Sequence, residues 1–523
     1  MKKYLCSFLL ILVLSLFQKI IAQPKYEFRG VWVATVDNID FPSNKFLNSF
    51  SQRAEFVNLL DMHKRNGMNA VVVQIRPAAD AFYPSQYEPW SEWLTGTQGK
   101  PPSPYYDPLQ FMITETHKRG MEFHAWMNPY RAMFNLKKSS ISPTHVTRLH
   151  PDWFIDYGNT KFFDPGNKDV QKFVTNVVRD VVSRYDIDAI HFDDYFYPYR
   201  IAGKEFEDTA SFRKYGNGLD RETWRRGNVD SIIVMLGRAI KEANPYCKFG
   251  ISPFGVWRNI AKDPEGSNTK AGQTNYDDLY ADILLWLRMK WIDYVVPQLY
   301  WEFGHKLVGY EVLIDWWAKH AYGRQMYIGQ GIYRSLEAKS YAWKNKNELP
   351  NQIKKLREYP QVQGSVFFSS STFNSNPNGW SDSLRNNYYK YPAIVPPMAW
   401  IDSSKPQRPE LLFDSSKRNF YDTSIDLYLK VDSSNKKINR YVIYNFTETS
   451  NINKDNPKNV TEIIVAGNNF YHYNLQNIAP QQNKIIIAVT ALTKTNNEGA
   501  LSRYICLQRT QNGWQIVNLP GNE

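Results

Sequence analysis

Eight short apolar segments punctuate the first three-quarters of the chain, at residues 28–36, 69–75, 121–127, 188–193, 248–252, 294–300, 326–330 and 365–369. Most neighbouring pairs enclose a stretch with helical periodicity. The first spans 52–66 and closes at Gly67. The second opens at Asp107-Pro108, an N-cap followed by proline at the first helical position, and closes at Gly120. Further helices are predicted at 169–184, 222–243, 276–290, 310–320 and 351–358. Strand–helix alternation implies a parallel sheet, because parallel neighbours need a crossover connection. Eight such units in roughly 345 residues predict a closed (β/α)8 barrel rather than an open sheet. No glycine-rich phosphate loop follows the first strand, which argues against a dinucleotide-binding fold.

Beyond residue 391 the pattern changes. Pro396-Pro397 and residues 405–409 read as a linker. Segments 425–431, 440–444, 461–465 and 484–490 then alternate as strands do, separated by turns rich in Asn, Ser and Lys. They predict a small β-sandwich of about 100 residues, similar to a fibronectin type III module. The expected fold class is therefore α/β: a (β/α)8 TIM barrel over 24–392, followed by an all-β sandwich over 405–510. The sandwich holds no acid pair, so packing and substrate anchoring are both open roles for it.

Residues 1–23 read as a signal peptide. Lys2 and Lys3 precede an apolar run from Tyr4 to Phe17, too short for a comfortable membrane span, and Ala22 offers a small residue at a cleavage point. The protein is expected to be exported, to the periplasm or cell envelope, with no stable membrane span once the leader is cut. Only Cys247 and Cys506 remain after it. They fall in different predicted domains, so no disulfide is expected. The net charge of +12 is spread without any basic run longer than a Lys-Lys pair. That excludes a recognisable nucleic-acid module and supports at most attraction to anionic envelope polymers.

The chemistry concentrates at Ile187-Asp188-Ala189-Ile190-His191-Phe192-Asp193-Asp194-Tyr195-Phe196-Tyr197-Pro198. A buried strand runs into two adjacent carboxylates and then into an aromatic cluster. If Ile190 and Phe192 face the outer helices, Ala189, His191 and Asp193 face the barrel interior. Asp193 then stands at the catalytic end, where barrel enzymes place their reacting groups. Carboxylates there can exchange protons with a glycosidic bond or attack an anomeric carbon, while rings stack on sugar C–H faces. An aromatic content of 15%, with 16 Trp and 34 Tyr, fits such a surface.

The other strand ends are also polar and aromatic. Arg76 ends the second; Asn128, Tyr130 and Arg131 end the third; Trp257 follows the fifth; Gln298, Tyr300, Trp301 and Glu302 end the sixth; Tyr333 follows the seventh. With His191, Tyr195 and Tyr197 these are the candidate substrate contacts. Glu302 is the candidate second carboxylate beside Asp193 and Asp194. Arg76 or Arg131 could pair with an acidic sugar. The long segments 76–107 and 128–167, with Tyr83, Tyr87, Trp90, Trp93, Tyr105, Tyr106, Trp153, Phe154 and Tyr157, could wall a long cleft.

At these residues the chain resembles the bacterial glycosyl-hydrolase-like 10 family. The resemblance is carried by Phe28-Arg29-Gly30-Val31-Trp32-Val33-Ala34-Thr35-Val36 with Asn38-Ile39-Asp40-Phe41-Pro42-Ser43, by His191-Phe192-Asp193-Asp194-Tyr195-Phe196-Tyr197-Pro198, and by Gly250-Ile251-Ser252-Pro253-Phe254-Gly255-Val256-Trp257. Tyr276-Asp277-Asp278-Leu279-Tyr280-Ala281-Asp282 and the stretch 291–301 extend it across the barrel. It implies an exported barrel glycosidase acting on peptidoglycan glycan strands stripped of stem peptides, and a C-terminal fibronectin-like module.

The expected function is a glycoside hydrolase acting on a bacterial amino-sugar polysaccharide, with Asp193 as nucleophile or charge stabiliser and Asp194 or Glu302 as general acid. No cofactor and no metal are expected, and the expected partner is the polysaccharide itself. Two other readings compete. A non-catalytic glycan-binding protein would bind without releasing reducing ends. A metal-dependent hydrolase or deacetylase would use His191, Asp193 and Asp194, but no second histidine lies near to complete a ligand set.

Overall fold

The computed structural model describes residues 23–517 apart from 338, 340, 414–418, 421–423, 431–437, 449–451, 468–469, 476–481 and 512. The expected leader lies outside the described residues except for Gln23.

The barrel strands are β1 (Phe28–Val33), β2 (Ala70–Arg76), β3 (Glu122–Met127), β4 (Ala189–Phe192), β5 (Lys248–Ile251), β6 (Tyr294–Val295), β7 (Gln325–Gln330) and β8 (Val362–Phe367). Each pairs in parallel with its neighbours in chain order, and β8 returns to β1. All eight expected strands are present. β6 is the shortest, because Pro297 has no N–H to give to the ladder. The sheet continues past it only as isolated bridges at Gln298.

The period of two sorts the barrel as expected. Ile190 and Phe192 join the apolar layer shared with the helices, whereas Ala189 joins Phe28, Trp32, Val72, Trp126, Tyr294, Tyr327 and Val366 inside. Gly250 is required there. A Cβ on it would stand 1.9 Å from the Tyr294 ring, which crosses the barrel at that level.

The helices begin where their caps dictate. Asn48 accepts from Ser51 N at the start of α1 (Ser49–Arg65), and Asp107 from Gln110 N at α2 (Pro108–Lys118), with proline in the first turn. Asn167 caps α3 (Lys168–Arg184), whose valines face inward, and Asp220 caps α4 (Arg221–Ala243). The helix expected at 276–290 is instead two short ones, Asn275–Asp278 and Ile283–Arg288. Tyr280 between them has φ +52°, and Asp282 caps the second by accepting from Leu285 N. The segment between β3 and β4 holds an antiparallel sheet, Arg131–Met133, Thr160–Phe163 and Phe154–Tyr157, set at the C-terminal ends of the barrel strands.

At the opposite end sits the all-β part. A sheet of Glu410–Phe413, Ser424–Lys430 and Phe470–Asn474 and one of six strands share an apolar cluster, with Leu427 and Leu429 facing Ile443, Ile487 and Val489. The second face of the larger sheet is buried as well, through Val442, Tyr444, Ile486 and Ala488 against Ile394. Burial on both faces explains why Lys484–Thr493 is apolar at successive positions. Cys247 and Cys506 are both buried and free.

The expected linker is not a free tether. Ile394 pairs with Tyr26, and Val395 and Met398 pack into the barrel's interior cluster as its floor. Around that floor Arg440 reaches Asp188 at 3.2 Å and Glu122 at 3.5 Å, Asn496 donates to Glu122 at 2.9 Å, and Lys25 pairs with Glu498 at 2.6 Å. The β-sandwich is thus bolted to the N-terminal ends of the strands, away from Asp193. No described helix is long and apolar enough to cross a membrane.

Candidate active site

β4 delivers Asp193 and Asp194 to the barrel mouth, where both are buried, 5% and 2% exposed. They line a cavity of about 370 Å³ with Trp32, Gln74, Trp126, Arg131, Phe134, Tyr195, Tyr199, Ser252, Gln298, Tyr300, Tyr333 and Phe368. Every barrel strand but β7 contributes near its C-terminal end, and Tyr333 enters from just after β7. The chemistry therefore gathers where parallel barrels place it.

Each aspartate is held differently. Asp193 Oδ2 accepts from Asn128 Nδ2 at 2.9 Å and Trp126 Nε1 at 3.1 Å. Its Oδ1 is buried with no hydrogen-bond partner among the described residues. Burial raises the Asp193 carboxyl above its ordinary value, opposed chiefly by the Arg131 guanidinium and then by those two N–H groups. Asp194 Oδ2 accepts the Tyr199 hydroxyl. Burial, and then the charge of Asp193, push the Asp194 carboxyl up to about 7 in spite of the Tyr199 and Gln298 hydrogen bonds. Near neutral pH Asp194 thus carries a proton it can give away, beside a second carboxylate in a water-poor setting.

The two predicted arginines separate. Arg76 is spent on a buried ion pair, with Nη2 2.5 Å and Nε 2.8 Å from the Glu88 carboxylate, and it also donates to Asn128 O at 2.5 Å. It does not reach the cavity; it fixes the β3 loop that presents Asn128. Arg131 lines the cavity. Its Nε donates to Pro77 O at 3.0 Å and its guanidinium lies over Tyr195 and Phe134. Among the described residues no carboxylate lies within ion-pair distance of it.

Glu302 follows β6 but lies outside the cavity lining, as does Trp301, which packs on Phe254. The chain turns outward after Tyr300, so the sixth strand offers Gln298 and Tyr300 and no acid. Tyr130 is buried in the helix-side core, and Trp257 stacks on Trp316 while donating to Asp282. Tyr197 leans away onto Phe206 and Tyr280 and lines a separate cavity of about 770 Å³. Of the aromatic residues expected to wall a cleft, Tyr83 and Trp93 are core, and none of that set lines this cavity.

His191 lies beneath the floor of the cavity. Trp32 Nε1 can only donate, so His191 Nε2 accepts it at 3.3 Å, and His191 Nδ1 donates to Tyr294 Oη at 3.1 Å. Tyr294 then gives its proton to His124 Nδ1 at 2.8 Å, and His124 Nε2 donates to Glu122 at 2.9 Å. Burial holds both imidazoles below their ordinary pKa, which matches the neutral tautomers this chain needs. The row anchors Trp32, and its histidines face neither aspartate.

Trp32, Gln74, Trp126, Phe134, Tyr199, Ser252 and Phe368 also line the cavity and are not among the candidates. Alternation from Phe28 through Gly30 places Trp32 inward, and alternation from His124 places Trp126 inward. That signal was present in the sequence. Tyr199 was not findable in this way, since it follows Pro198 in a loop.

The chain can now be set beside known proteins. The glycosyl hydrolase-like 10 profile matches residues 27–348. The glycosyl hydrolase YngK of Bacillus subtilis (strain 168) is 49% identical over 403 residues, covering 76% of this chain and 79% of that protein. The glycosyl hydrolase DigH of Escherichia coli (strain K12) is 37% identical over 376 residues, covering 67% and 85%. Among solved structures, the catalytic domain of a β-amylase from Paenibacillus polymyxa aligns at 12% identity with a TM-score of 0.45, covering 71% of this chain and 99% of that one. With the profile spanning most of the barrel and relatives this similar over two-thirds of the chain or more, the protein is a glycoside hydrolase and belongs to the glycosyl hydrolase-like 10 family.

Proposed function

We propose that the protein is an exported hydrolase that cleaves glycosidic bonds within a bacterial amino-sugar polysaccharide, with peptidoglycan glycan strands stripped of stem peptides as substrate. The carrying observation is the pair of buried, differently held carboxylates in an aromatic cavity at the barrel mouth. Asp194 is the general acid, its raised pKa keeping about half of it protonated near pH 7, and Asp193 stabilises the positive charge that develops at the anomeric centre. Arg131 supplies a cation for an acidic sugar substituent such as the lactyl carboxylate of muramic acid. The leader pattern of residues 1–23 supports action in the periplasm or cell envelope.

The test is reducing-end release from amidase-treated and untreated peptidoglycan sacculi, with the mature protein and Asp193→Asn side by side. Release from the stripped glycan alone, lost in the variant, supports the reading. Binding without release from either would replace it with a glycan-binding role.

A further inference from the structure

Asp193 and Asp194 are the only carboxylates lining the cavity among the described residues, and they are consecutive. Glycosidases that work with two carboxylates place them across the sugar, about 5–5.5 Å apart for retention and 6.5–9.5 Å for inversion. Both acids enter the one cavity from a single strand end, close enough for the charge of Asp193 to act on Asp194, rather than from opposite walls. With Glu302 outside the cavity, no third carboxylate lines it among the described residues.

The second observation is the unpartnered Asp193 Oδ1. Asn128 and Trp126 fix its sister oxygen, and Oδ1, with the Tyr195 backbone N–H turned toward the carboxylate, makes no hydrogen bond of normal geometry among the described residues. An unfilled buried acceptor calls for a donor from the ligand. Trp32, Trp126, Tyr300 and Phe368 line the same cavity, apolar surface suited to a methyl group. An amide N–H flanked by a methyl is what a 2-acetamido sugar presents.

Resting on the hydrolase reading above, we infer that the nucleophile is the substrate's own 2-acetamido oxygen, and that Asp193 holds the amide N–H while Asp194 serves as acid and then base. In the first step the acetamido carbonyl oxygen forms a bond to C1, the bond from C1 to the glycosidic oxygen breaks with its electron pair, and that oxygen takes the Asp194 proton. The bicyclic oxazolinium so formed carries one positive charge, which faces the Asp193 carboxylate through its N–H. In the second step water adds to C1 and gives a proton to the Asp194 carboxylate. The C1 bond to the carbonyl oxygen breaks, restoring the acetamide, Asp194 as an acid, and the original anomeric configuration. An intramolecular nucleophile of this kind removes the need for an opposed carboxylate.

The experiment compares the mature protein on amidase-stripped glycan and on the same glycan after chemical de-N-acetylation, follows the anomer released by NMR, and titrates an N-acetylglucosamine-derived thiazoline by calorimetry. Expected are retention, cleavage at least about 100-fold slower without the acetyl groups, and thiazoline binding weakened roughly 10- to 100-fold in Asp193→Asn. The first two readouts need no variant, so a poorly folding Asp193→Asn does not blunt the test. Inversion, or equal cleavage of both glycans, overturns the acetamido mechanism and leaves the hydrolase reading standing. No cleavage of any acetamido glycan together with no thiazoline binding overturns both.

Discussion

Asn128 donates from Nδ2 to Asp193 Oδ2 at 2.9 Å, and Asn128 is itself held by Arg131 N donating to its Oδ1 at 2.9 Å. The asparagine therefore aims a carboxylate it does not replace. Asn128→Ala is expected to lower kcat/KM roughly 10- to 100-fold, the worth of one hydrogen bond to a charged group, with little change in thermal unfolding. Wild-type turnover in that variant would show that Trp126 alone positions Asp193.

As the proposed general acid, Asp194 is expected to set the alkaline limit of activity. Its acid form would be the active one and its carboxyl is pushed up to about 7, so the rate is expected to fall as pH rises through that value. The Tyr199 hydrogen bond lowers this pKa, so Tyr199→Phe is expected to move the alkaline limb up by about 0.5–1 unit. A pH–rate profile unchanged in Tyr199→Phe would assign the limb to another group.

The same group carries a stability cost. Its folded pKa lies above its unfolded one, near 3.8, so its contribution turns unfavourable as pH rises from about 4 to 7 and stays so above. Asp194→Asn is expected to abolish release of reducing ends, by at least about 100-fold, yet to raise the melting temperature at pH 8 and leave it near wild type at pH 4. A lower melting temperature at pH 8 would contradict the placement of Asp194 as a buried acid whose ionisation destabilises the fold.

Arg76 and Arg131 are expected to fail differently. Arg76→Met strands the Glu88 carboxylate in the core and is expected to cost about 3–5 kcal/mol of stability by denaturant unfolding. Arg131→Met breaks no ion pair. It is expected to keep the fold and to raise KM for stripped glycan, with the effect in wild type weakening at high salt. Equal KM values would remove Arg131 from substrate recognition.

The floor of the barrel is an acid-sensitive joint. Against the upward push of burial, Lys248 holds Glu122 near 2, and His117 and Arg440 hold Asp188 below its ordinary range. Depressed carboxylates stabilise the fold above about pH 4, and that stability is lost as pH falls. Arg440→Ala is expected to move the acid-unfolding midpoint to higher pH and to loosen the β-sandwich, read as faster amide exchange along Lys484–Thr493. Unchanged exchange there would mean that apolar packing alone secures the joint.

The sequence by itself determined the barrel, because a closed parallel sheet leaves each strand residue only two directions. Ile190 and Phe192 outward, Ala189 and Asp193 inward, and both aspartates at the mouth all followed from a period of two. The tertiary structure decided which strand-end residues share a cavity, since that depends on where loops turn after the last ladder bond. Arg76 and Arg131 look alike along the chain, yet Glu88 lies twelve residues beyond Arg76 and captures it. Tyr197 and Tyr199 are two residues apart, and Pro198 sends one to a separate cavity and the other to Asp194. Glu302 follows an interior strand end but belongs to a turn that has already left the barrel. Pro396-Pro397 reads as a linker along the chain, whereas the flanking apolar Val395 and Met398 find the open floor of the barrel, a surface that exists only once eight distant strands have closed around it.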